Sequence, residues 1–251
     1  MCIYKGIHMF EKRIVAIHSI SDQNLSQNRL IHYIRTMRFL GYKFVSVDTI
    51  LSDKHNGKLL ALTVDDGYKS CIKNLIPVLE KYKIPALMFL PTQLLGLPEN
   101  HDELLKNECY RNESIMSVED VNLWVHKGFD IGFHTGKHID LYYHEDQEIE
   151  KDFREGMDIF RKNGWETKYF AYPKGFLPKN RSFFEKLMSK YGIKYAFTIC
   201  WGGVHADDCY YINRVCLGNH EPFIWSILKT MGFCDYYFLK KRLTIEQRRE
   251  L

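Results

Sequence analysis

Short apolar runs of strand length alternate along this chain with helical segments, and this alternation restricts the fold more than any other feature. The apolar runs cover residues 13–20, 44–47, 59–65, 85–92, 129–134, 168–173, 195–200 and 210–217. Helical spacing and helix start and stop signals favour helices at about 25–40, 68–83, 117–127, 145–163, 180–191 and 221–231. This pattern predicts an α/β protein with a single distorted (β/α) barrel of about seven or eight parallel strands.

The composition agrees with one globular unit. Hydrophobic residues make up 45% of the 251 residues, which is enough for a large core. There is no internal repeat, low-complexity linker or change in composition, so we expect residues 1–251 to form one domain with a basic tail from about residue 235. A solvated end is the simplest interpretation of this tail, and peripheral contact with anionic lipid is the alternative.

Charge and cysteine usage exclude several classes of protein. The net charge of +4 is modest, so we expect no nucleic-acid partner. The seven cysteines are scattered without a Cys-x-x-Cys pair, which favours reduced thiols and a cytoplasmic location. No apolar run approaches the roughly 20 residues of a transmembrane helix. Charges near the start interrupt any signal-peptide core, which also favours a cytoplasmic protein.

The most informative strand is the run Leu60–Val64, which ends in the adjacent carboxylates Asp65 and Asp66. Carboxylates at the C-terminal end of a buried parallel strand lie where barrels place their chemistry. An alternative is that one aspartate caps the next helix while the other is solvated. Other predicted strands also end in polar groups, at His18 and His134, and a parallel barrel brings these ends to one face.

The segment His134-Thr135-Gly136-Lys137-His138 places two histidines four residues apart, so both can approach one ion if the backbone turns helically. Such a pair also occurs in exposed turns. Its position after a buried strand favours a site of two histidines and the carboxylate of Asp66, which suits zinc or else cobalt, nickel or iron. Such an ion lowers the pKa of its water towards about 7, and Asp65 could accept the proton as general base.

These residues resemble the motifs of the polysaccharide deacetylases, carbohydrate esterase family four. The segment Thr63-Val64-Asp65-Asp66-Gly67 is similar to the family motif Thr-Phe-Asp-Asp-Gly, and His134–His138 matches its His-(Ser or Thr)-x-x-His motif. The resemblance covers roughly residues 14–217. It implies that the first aspartate is the base, while the second aspartate and both histidines hold one divalent metal ion.

The third family motif, usually Arg-x-Pro-Tyr-Gly, is changed here to Ala171-Tyr172-Pro173-Lys174-Gly175. Residues 170–175 are similar instead to a Phe-Ala-Tyr-Pro-x-Gly version of the motif. This version occurs in the branch that resembles the poly-N-acetylglucosamine deacetylases, in which the catalytic histidine lies near the N-terminus. This resemblance implies that His18 is the general acid. We expect Arg214 to replace the missing arginine that holds the base, with an ordinary surface ion pair as the alternative.

We expect a second group of residues to contact the substrate. The backbone N–H of Lys174 is a candidate donor to the oxyanion, and Trp201 follows a strand end, where it could stack on a sugar. A core or rim position for this tryptophan fits the sequence equally well. The complete expected set is Thr135, Tyr172, Pro173, Lys174, Gly175 and Trp201.

The resemblance implies a metal-dependent carbohydrate deacetylase, an amide hydrolase that removes an acetyl group from an N-acetylated sugar or glycan. In this mechanism a metal-activated water attacks the acetyl carbonyl, and His18 protonates the departing amine. Two alternatives remain open. The altered third motif is compatible with a catalytically degenerate glycan-binding protein of the same fold, and the same site could hydrolyse another linear amide.

Overall fold

A computed structural model describes residues 12–52, 57–105, 113–204, 209–218 and 221–235 of the chain. The predicted basic tail lies outside the described residues. Eight strands are found in the described part: β1 (Lys12–Ile17), β2 (Lys43–Phe44), β3 (Leu59–Val64), β4 (Ala86–Leu90), β5 (Asp130–Phe133), β6 (Tyr169–Ala171), β7 (Tyr195–Phe197) and β8 (Val215–Cys216). All neighbouring strands are parallel.

The strands form one sheet in the order β7-β6-β5-β4-β3-β1-β8, and β2 pairs with the first residues of β3. The segment that leads into β8 joins the two ends of this order. Ile212 exchanges backbone hydrogen bonds with β7, donating to Ala196 (2.9 Å) and accepting from Thr198 (2.8 Å), whereas Val215 pairs with Val15 of β1. The sheet therefore curls into a distorted barrel, which confirms the fold class predicted from the sequence.

Helices follow most of the strands, and apart from α2, which packs against the barrel interior, they cover the outside of the sheet. Their bounds are α1 (Gln27–Phe39), α2 (Val47–Leu51), α3 (Ser70–Asn74), α4 (Ile76–Tyr82), α5 (Asp102–Leu105), α6 (Val118–His126), α7 (Asp146–Lys162), α8 (Arg181–Lys190) and α9 (Phe223–Met231). Short 3₁₀ turns occupy Thr92–Leu94 and Pro173–Gly175. Ser117 caps the start of α6, because its hydroxyl accepts from the N–H of Asp120 at 3.2 Å.

Side chains of β3 alternate between the two faces of the sheet, and this alternation explains how the fold positions polar groups at one end of the barrel. Leu60, Leu62 and Val64 pack outwards against the helices, whereas Leu59 and Ala61 face the interior of the barrel. Both faces of β3 are buried, which is why its sequence is apolar except for Thr63. The next inward positions along the chain are those of residues 63 and 65, at the C-terminal end of the barrel.

The structure differs from the sequence prediction between residues 44 and 52. The predicted strand 44–47 ends at Phe44, and Val47 begins helix α2 instead of a polar loop. Ser46 has an extended backbone, and its hydroxyl accepts from the N–H of Thr49 at 3.2 Å, so it caps this helix. Burial of Val47 and Ile50 in the barrel interior then outweighs the strand preference of β-branched residues.

Two further elements are shorter than predicted. The predicted helix 68–83 is divided into α3 and α4, with Pro77 in the first turn of α4, where its missing N–H breaks no hydrogen bond. The predicted strand 210–217 is regular only in β8, because its earlier residues pair with β7 and its later residues with β1. No helix in the described ranges is both long and apolar enough to cross a bilayer, and the five described cysteines are free.

Candidate metal centre and active site

Three predicted ligands meet at the C-terminal end of the barrel. Asp66 follows β3, and both His134 and His138 follow β5. The Oδ1 atom of Asp66 lies 3.3 Å from Nε2 of His134 and 3.4 Å from Nε2 of His138. All three side chains are buried, and their potential ligand atoms lie within 4.8 Å of one another. The structure therefore assembles the donor set expected from the sequence.

The protonation of this cluster fits a divalent cation. Nδ1 of His134 lies 2.8 Å from the carbonyl oxygen of Ala171, which can only accept, so Nδ1 carries the hydrogen and Nε2 keeps its lone pair. Burial lowers the pKa of His138 to about 4, so its ring is neutral at pH 7, as a ligand must be. Burial raises the pKa of Asp66, but the neighbouring imidazoles lower it by a larger amount. The pKa therefore lies below its ordinary value, and the carboxyl group is ionised.

The spacing of the donor atoms fits as well. Zinc–ligand bonds of about 2.0–2.1 Å separate the donor atoms of a tetrahedral site by about 3.4 Å. The two distances from the Asp66 carboxylate to the imidazole nitrogens have this length. The three residues can therefore hold one zinc-like ion and leave further coordination positions open.

Backbone strain is concentrated at this site. Six non-glycine residues in the described ranges have a positive φ, and four of them belong to the predicted motifs: Asp66 (76°), Thr135 (62°), His138 (54°) and Lys174 (55°). Such conformations cost about 1–3 kcal/mol each and persist only where the surroundings impose them. Their clustering indicates that this end of the barrel is built for function.

The loop between the two histidines is held by hydrogen bonds to its backbone. The hydroxyl of Thr135 accepts from the N–H of Ile139 at 3.1 Å, which closes the turn. The carboxylate of Asp152 accepts from the N–H of Gly136 (2.6 Å) and from that of Lys137 (2.9 Å). Thr135 therefore shapes the loop through a hydrogen bond within the protein.

Asp152 is a site residue that sequence reasoning missed. It lies on α7 and is buried together with Ile149, Phe153 and Gly156. An acidic residue in line with the apolar face of an amphipathic helix was the available signal, because a buried carboxylate needs a partner. The glycine at position 136 is closely packed as well, since a Cβ there would lie 2.1 Å from Nε2 of Gln93 and 3.0 Å from the backbone carbonyl oxygen of Asp152.

Asp65 lies beside the cluster and is paired with Arg214. The guanidinium donates to both carboxylate oxygens, at 2.6 and 2.8 Å, and both side chains are buried. Arg214 also donates to the hydroxyl of Thr63 and to the carbonyl of Thr198, each at 3.0 Å. Burial raises the pKa of Asp65, but Arg214 and then His134 lower it below its ordinary value, so the carboxyl group is ionised at neutral pH.

His18 lies on the open side of the site. Its Nε2 is 3.9 Å from Oδ2 of Asp66, and its side chain is 33% exposed, whereas Asp66 is buried. The backbone carbonyl of His18 accepts a hydrogen bond from the thiol of Cys71 at 3.3 Å. This imidazole can therefore meet both a bound molecule and solvent.

The residues of the third motif are divided between the core and the surface. Tyr172 is 1% exposed, and its hydroxyl donates to the carbonyl of Tyr210 at 3.0 Å, so its side chain contacts protein. Pro173 is buried, and Lys174 is exposed on the turn. Gly175 has a φ of 72°, and a Cβ at this position would lie 2.2 Å from the side chain of Ile199. A side chain could not replace this glycine without moving the turn.

Trp201 is partly buried and packs against the apolar core. Its ring lies 5.0 Å from Nζ of Lys229, a residue of α9. Part of this indole is therefore occupied by a cation of the protein, and contact with a substrate stays a prediction.

This architecture and donor set define a class of protein. The family model for polysaccharide deacetylases matches residues 52–196, more than half of the chain. The chain belongs to the polysaccharide deacetylase family, as its first two motifs predicted.

Individual relatives narrow the comparison. The chain is 27% identical over 225 residues to the poly-beta-1,6-N-acetyl-D-glucosamine N-deacetylase of Staphylococcus epidermidis, covering 86% of this chain and 73% of the relative. It is 25% identical over 224 residues to the Staphylococcus aureus protein of the same name, covering 85% and 74%.

Among solved structures, IcaB from Ammonifex degensii matches with a TM-score of 0.70 and 23% identity, covering 88% of this chain and 97% of that one. The Streptococcus pyogenes deacetylase PplD in complex with acetate matches with a TM-score of 0.69 and 19% identity, covering 88% and 98%. These structural matches confirm the fold.

Proposed function

We propose that the protein is a metal-dependent deacetylase that removes an acetyl group from an N-acetylated sugar or glycan. The observation that carries this proposal is the buried cluster of Asp66, His134 and His138 beside the arginine-paired carboxylate of Asp65. The names of the staphylococcal relatives support a polymer of N-acetylglucosamine as the substrate.

Asp65 and Arg214 provide the basic half of the chemistry. A divalent ion held by the cluster would lower the pKa of a coordinated water towards about 7 and polarise an acyl oxygen. Asp65 accepts the proton of the attacking water, because each carboxylate oxygen keeps a lone pair beyond those used by Arg214. The bidentate guanidinium fixes the plane of the carboxylate and keeps it ionised.

His18 and the third-motif turn supply the proton for the leaving amine and the hydrogen bond to the oxyanion. The departing amine is too basic to leave unprotonated, and His18 lies on the open side of the site, where it can donate a proton. The backbone N–H of Lys174 donates a hydrogen bond to the oxyanion that forms from the acetyl carbonyl. Zinc is the metal we propose, and the donor set also accepts cobalt, nickel or iron.

The first test measures metal content together with acetate release. Protein purified without chelator is expected to hold about one transition metal per chain, and the variants Asp66→Ala and His134→Ala to lose it. The wild type is expected to release acetate from β-1,6-linked N-acetylglucosamine oligosaccharides. His126→Ala, which removes an exposed histidine at the end of α6, is the control. A wild-type protein that binds no metal after zinc is added would refute the proposal.

A second test addresses the general acid. His18→Ala is expected to lose most turnover while it keeps the metal, because His18 is not one of the three clustered donors. Full activity in this variant would remove His18 from the mechanism.

A second candidate function is glycan binding without hydrolysis. It is favoured by Ala171, which stands where the family motif has an arginine. It predicts that oligosaccharides bind and no acetate is released, so the same assay separates the two candidates. Hydrolysis of another linear amide is tested by adding N-formylated sugars to the substrate panel. The N-terminal-histidine branch, the cytoplasmic location and the peripheral membrane contact stay predictions.

A further inference from the structure

Two aromatic side chains meet across the loops that leave the metal site. Tyr143 belongs to the loop that follows His138, and Phe176 follows the turn of the third motif. Their ring centroids are 6.4 Å apart, with an angle of 66° between the ring planes. We call these two side chains the aromatic pair. It joins the loops after β5 and β6, and neither residue belongs to the family motifs.

The backbone beneath Tyr143 is fixed. Asp140 accepts from the N–H of Tyr142 through its side chain (3.1 Å) and from the N–H of Tyr143 through its carbonyl (3.2 Å). The same carbonyl lies 2.8 Å from Nδ1 of His144, and Leu141 is anchored in the core. The turn is therefore ordered, yet it leaves Tyr143 as a residue 70% exposed.

The two loops also contact each other near the starts of α7 and α8. Asn180 donates to the carboxylate of Asp146 at 2.7 Å, and Nζ of Lys179 lies 3.7 Å from Glu145. The ammonium group of Lys179 also lies 5.8 Å from the centre of the Tyr142 ring. These contacts link the two loops where they lead into α7 and α8.

The aromatic pair lies within reach of the metal centre. Tyr143 is five positions after His138, so their Cα atoms are separated by at most about 17 Å. Phe176 is two positions after Lys174, the proposed oxyanion donor, and its N–H donates to the carbonyl of Pro173 at 3.2 Å. Both aromatic residues are thus continuous in the chain with groups that we assign to the reaction.

An ordered, exposed aromatic ring beside a site for sugars has a chemical use. The faces of a pyranose ring carry C–H groups, which stack on aromatic rings, while the sugar hydroxyls stay in water. We propose that the aromatic pair is a subsite that binds a neighbouring sugar residue of the glycan while another residue occupies the metal centre. This inference rests on the proposed function and adds that the enzyme selects chains over single sugars through Tyr143.

The test compares a short and a long substrate. Initial rates of acetate release are measured on single N-acetylglucosamine and on its β-1,6-linked pentamer for the wild type, Tyr143→Ala and Tyr143→Phe. The ratio of kcat/KM for the pentamer over the single sugar is expected to fall about tenfold in the alanine variant. The phenylalanine variant, which keeps the ring, is expected to retain the wild-type ratio.

Phe39→Ala is the matched control, because Phe39 is a 90% exposed aromatic residue at the end of α1, which runs away from the active-site face. An unchanged ratio in Tyr143→Ala, or an equal fall in Phe39→Ala, would overturn the subsite.

A binding measurement tests the subsite if the protein has no hydrolytic activity. If the wild type releases no acetate, pentamer binding is measured by calorimetry on the same variants. About tenfold weaker binding in Tyr143→Ala alone would support the subsite while the proposed hydrolysis fails. No binding by the wild type, or equal binding by wild type and variant, would refute the subsite itself.

Discussion

Replacement of Asp152 by asparagine tests whether helix α7 positions the metal ligands. The carboxylate of Asp152 accepts from two backbone N–H groups between the ligating histidines, at 2.6 and 2.9 Å. Asparagine has nearly the same shape, but its NH₂ group would face one of these donors. One hydrogen bond is lost, and the other loses its charge assistance.

The size of the effect follows from these two contacts. A hydrogen bond to an ionised group contributes about 1.5–3 kcal/mol. If the loss of one such bond is expressed in metal binding, the Kd for zinc rises about 10- to 100-fold, at 1.4 kcal/mol for each factor of ten. Competition with a chromophoric chelator measures this Kd directly.

Asp158→Asn is the control on the same helix. Asp158 is half-exposed and pairs with Arg161 at 2.6 Å, a surface contact worth below about 1 kcal/mol. We expect this variant to keep the wild-type Kd for zinc. The thermal midpoint of the metal-free protein separates positioning from folding, since a purely structural role of Asp152 would lower this midpoint and leave the Kd unchanged. An unchanged Kd in Asp152→Asn would refute the positioning role.

Three further changes test other parts of the molecule. Gly136→Ala places a Cβ 2.1 Å from the Gln93 amide and 3.0 Å from the backbone carbonyl oxygen of Asp152, so we expect a loss of stability of about 1–3 kcal/mol and weaker zinc binding; a wild-type unfolding curve would contradict this packing. Arg214→Met leaves the buried carboxylate of Asp65 unpaired and is expected to lower the free energy of unfolding in urea by about 3–5 kcal/mol, with acetate release lost; a loss below about 1 kcal/mol, typical of a surface pair, would show that the pair is not buried in solution. Burial raises the pKa of Asp48, but hydrogen bonds from Lys168 and Tyr169 lower it below its ordinary value. Its contribution to stability is therefore complete above the unfolded-state pKa of about 3.9 and is lost as the pH falls through the lower folded-state pKa; Asp48→Asn is expected to flatten the acid limb of stability against pH, and an unaltered limb would contradict the assignment.

The barrel and the metal cluster were accessible from sequence because they depend on local pattern. Strand-length runs that end in polar residues specify both the alternation of elements and the face on which their ends meet. The positions of Asp66, His134 and His138 follow from this rule together with the spacing of the histidines.

Features that depend on tertiary contacts were less accessible. The role of Asp152 depends on the packing of α7 against a loop distant in sequence, and only its place on an apolar helix face hinted at it. The left-handed backbone at Thr135 and Lys174 is imposed by surrounding contacts, since neither residue type favours it. The burial of Tyr172 was hidden as well, because the motif containing it lies at the boundary between core and surface.

Metal binding and catalysis depend on different parts of this chain, because the segment 212–216 supplies Arg214 but none of the three metal donors. Asp66, His134 and His138 come from the parts of the chain after β3 and β5, whereas Arg214 comes from the segment that joins the two edges of the sheet. A chain in which this segment has not docked would still carry the three metal donors, but its Asp65 would have no counter-charge. We therefore expect metal content to report that the ends of β3 and β5 are assembled. Acetate release would report in addition that the segment 212–216 has joined the two edges of the sheet. Catalysis would then serve as a built-in sensor of a fully folded chain.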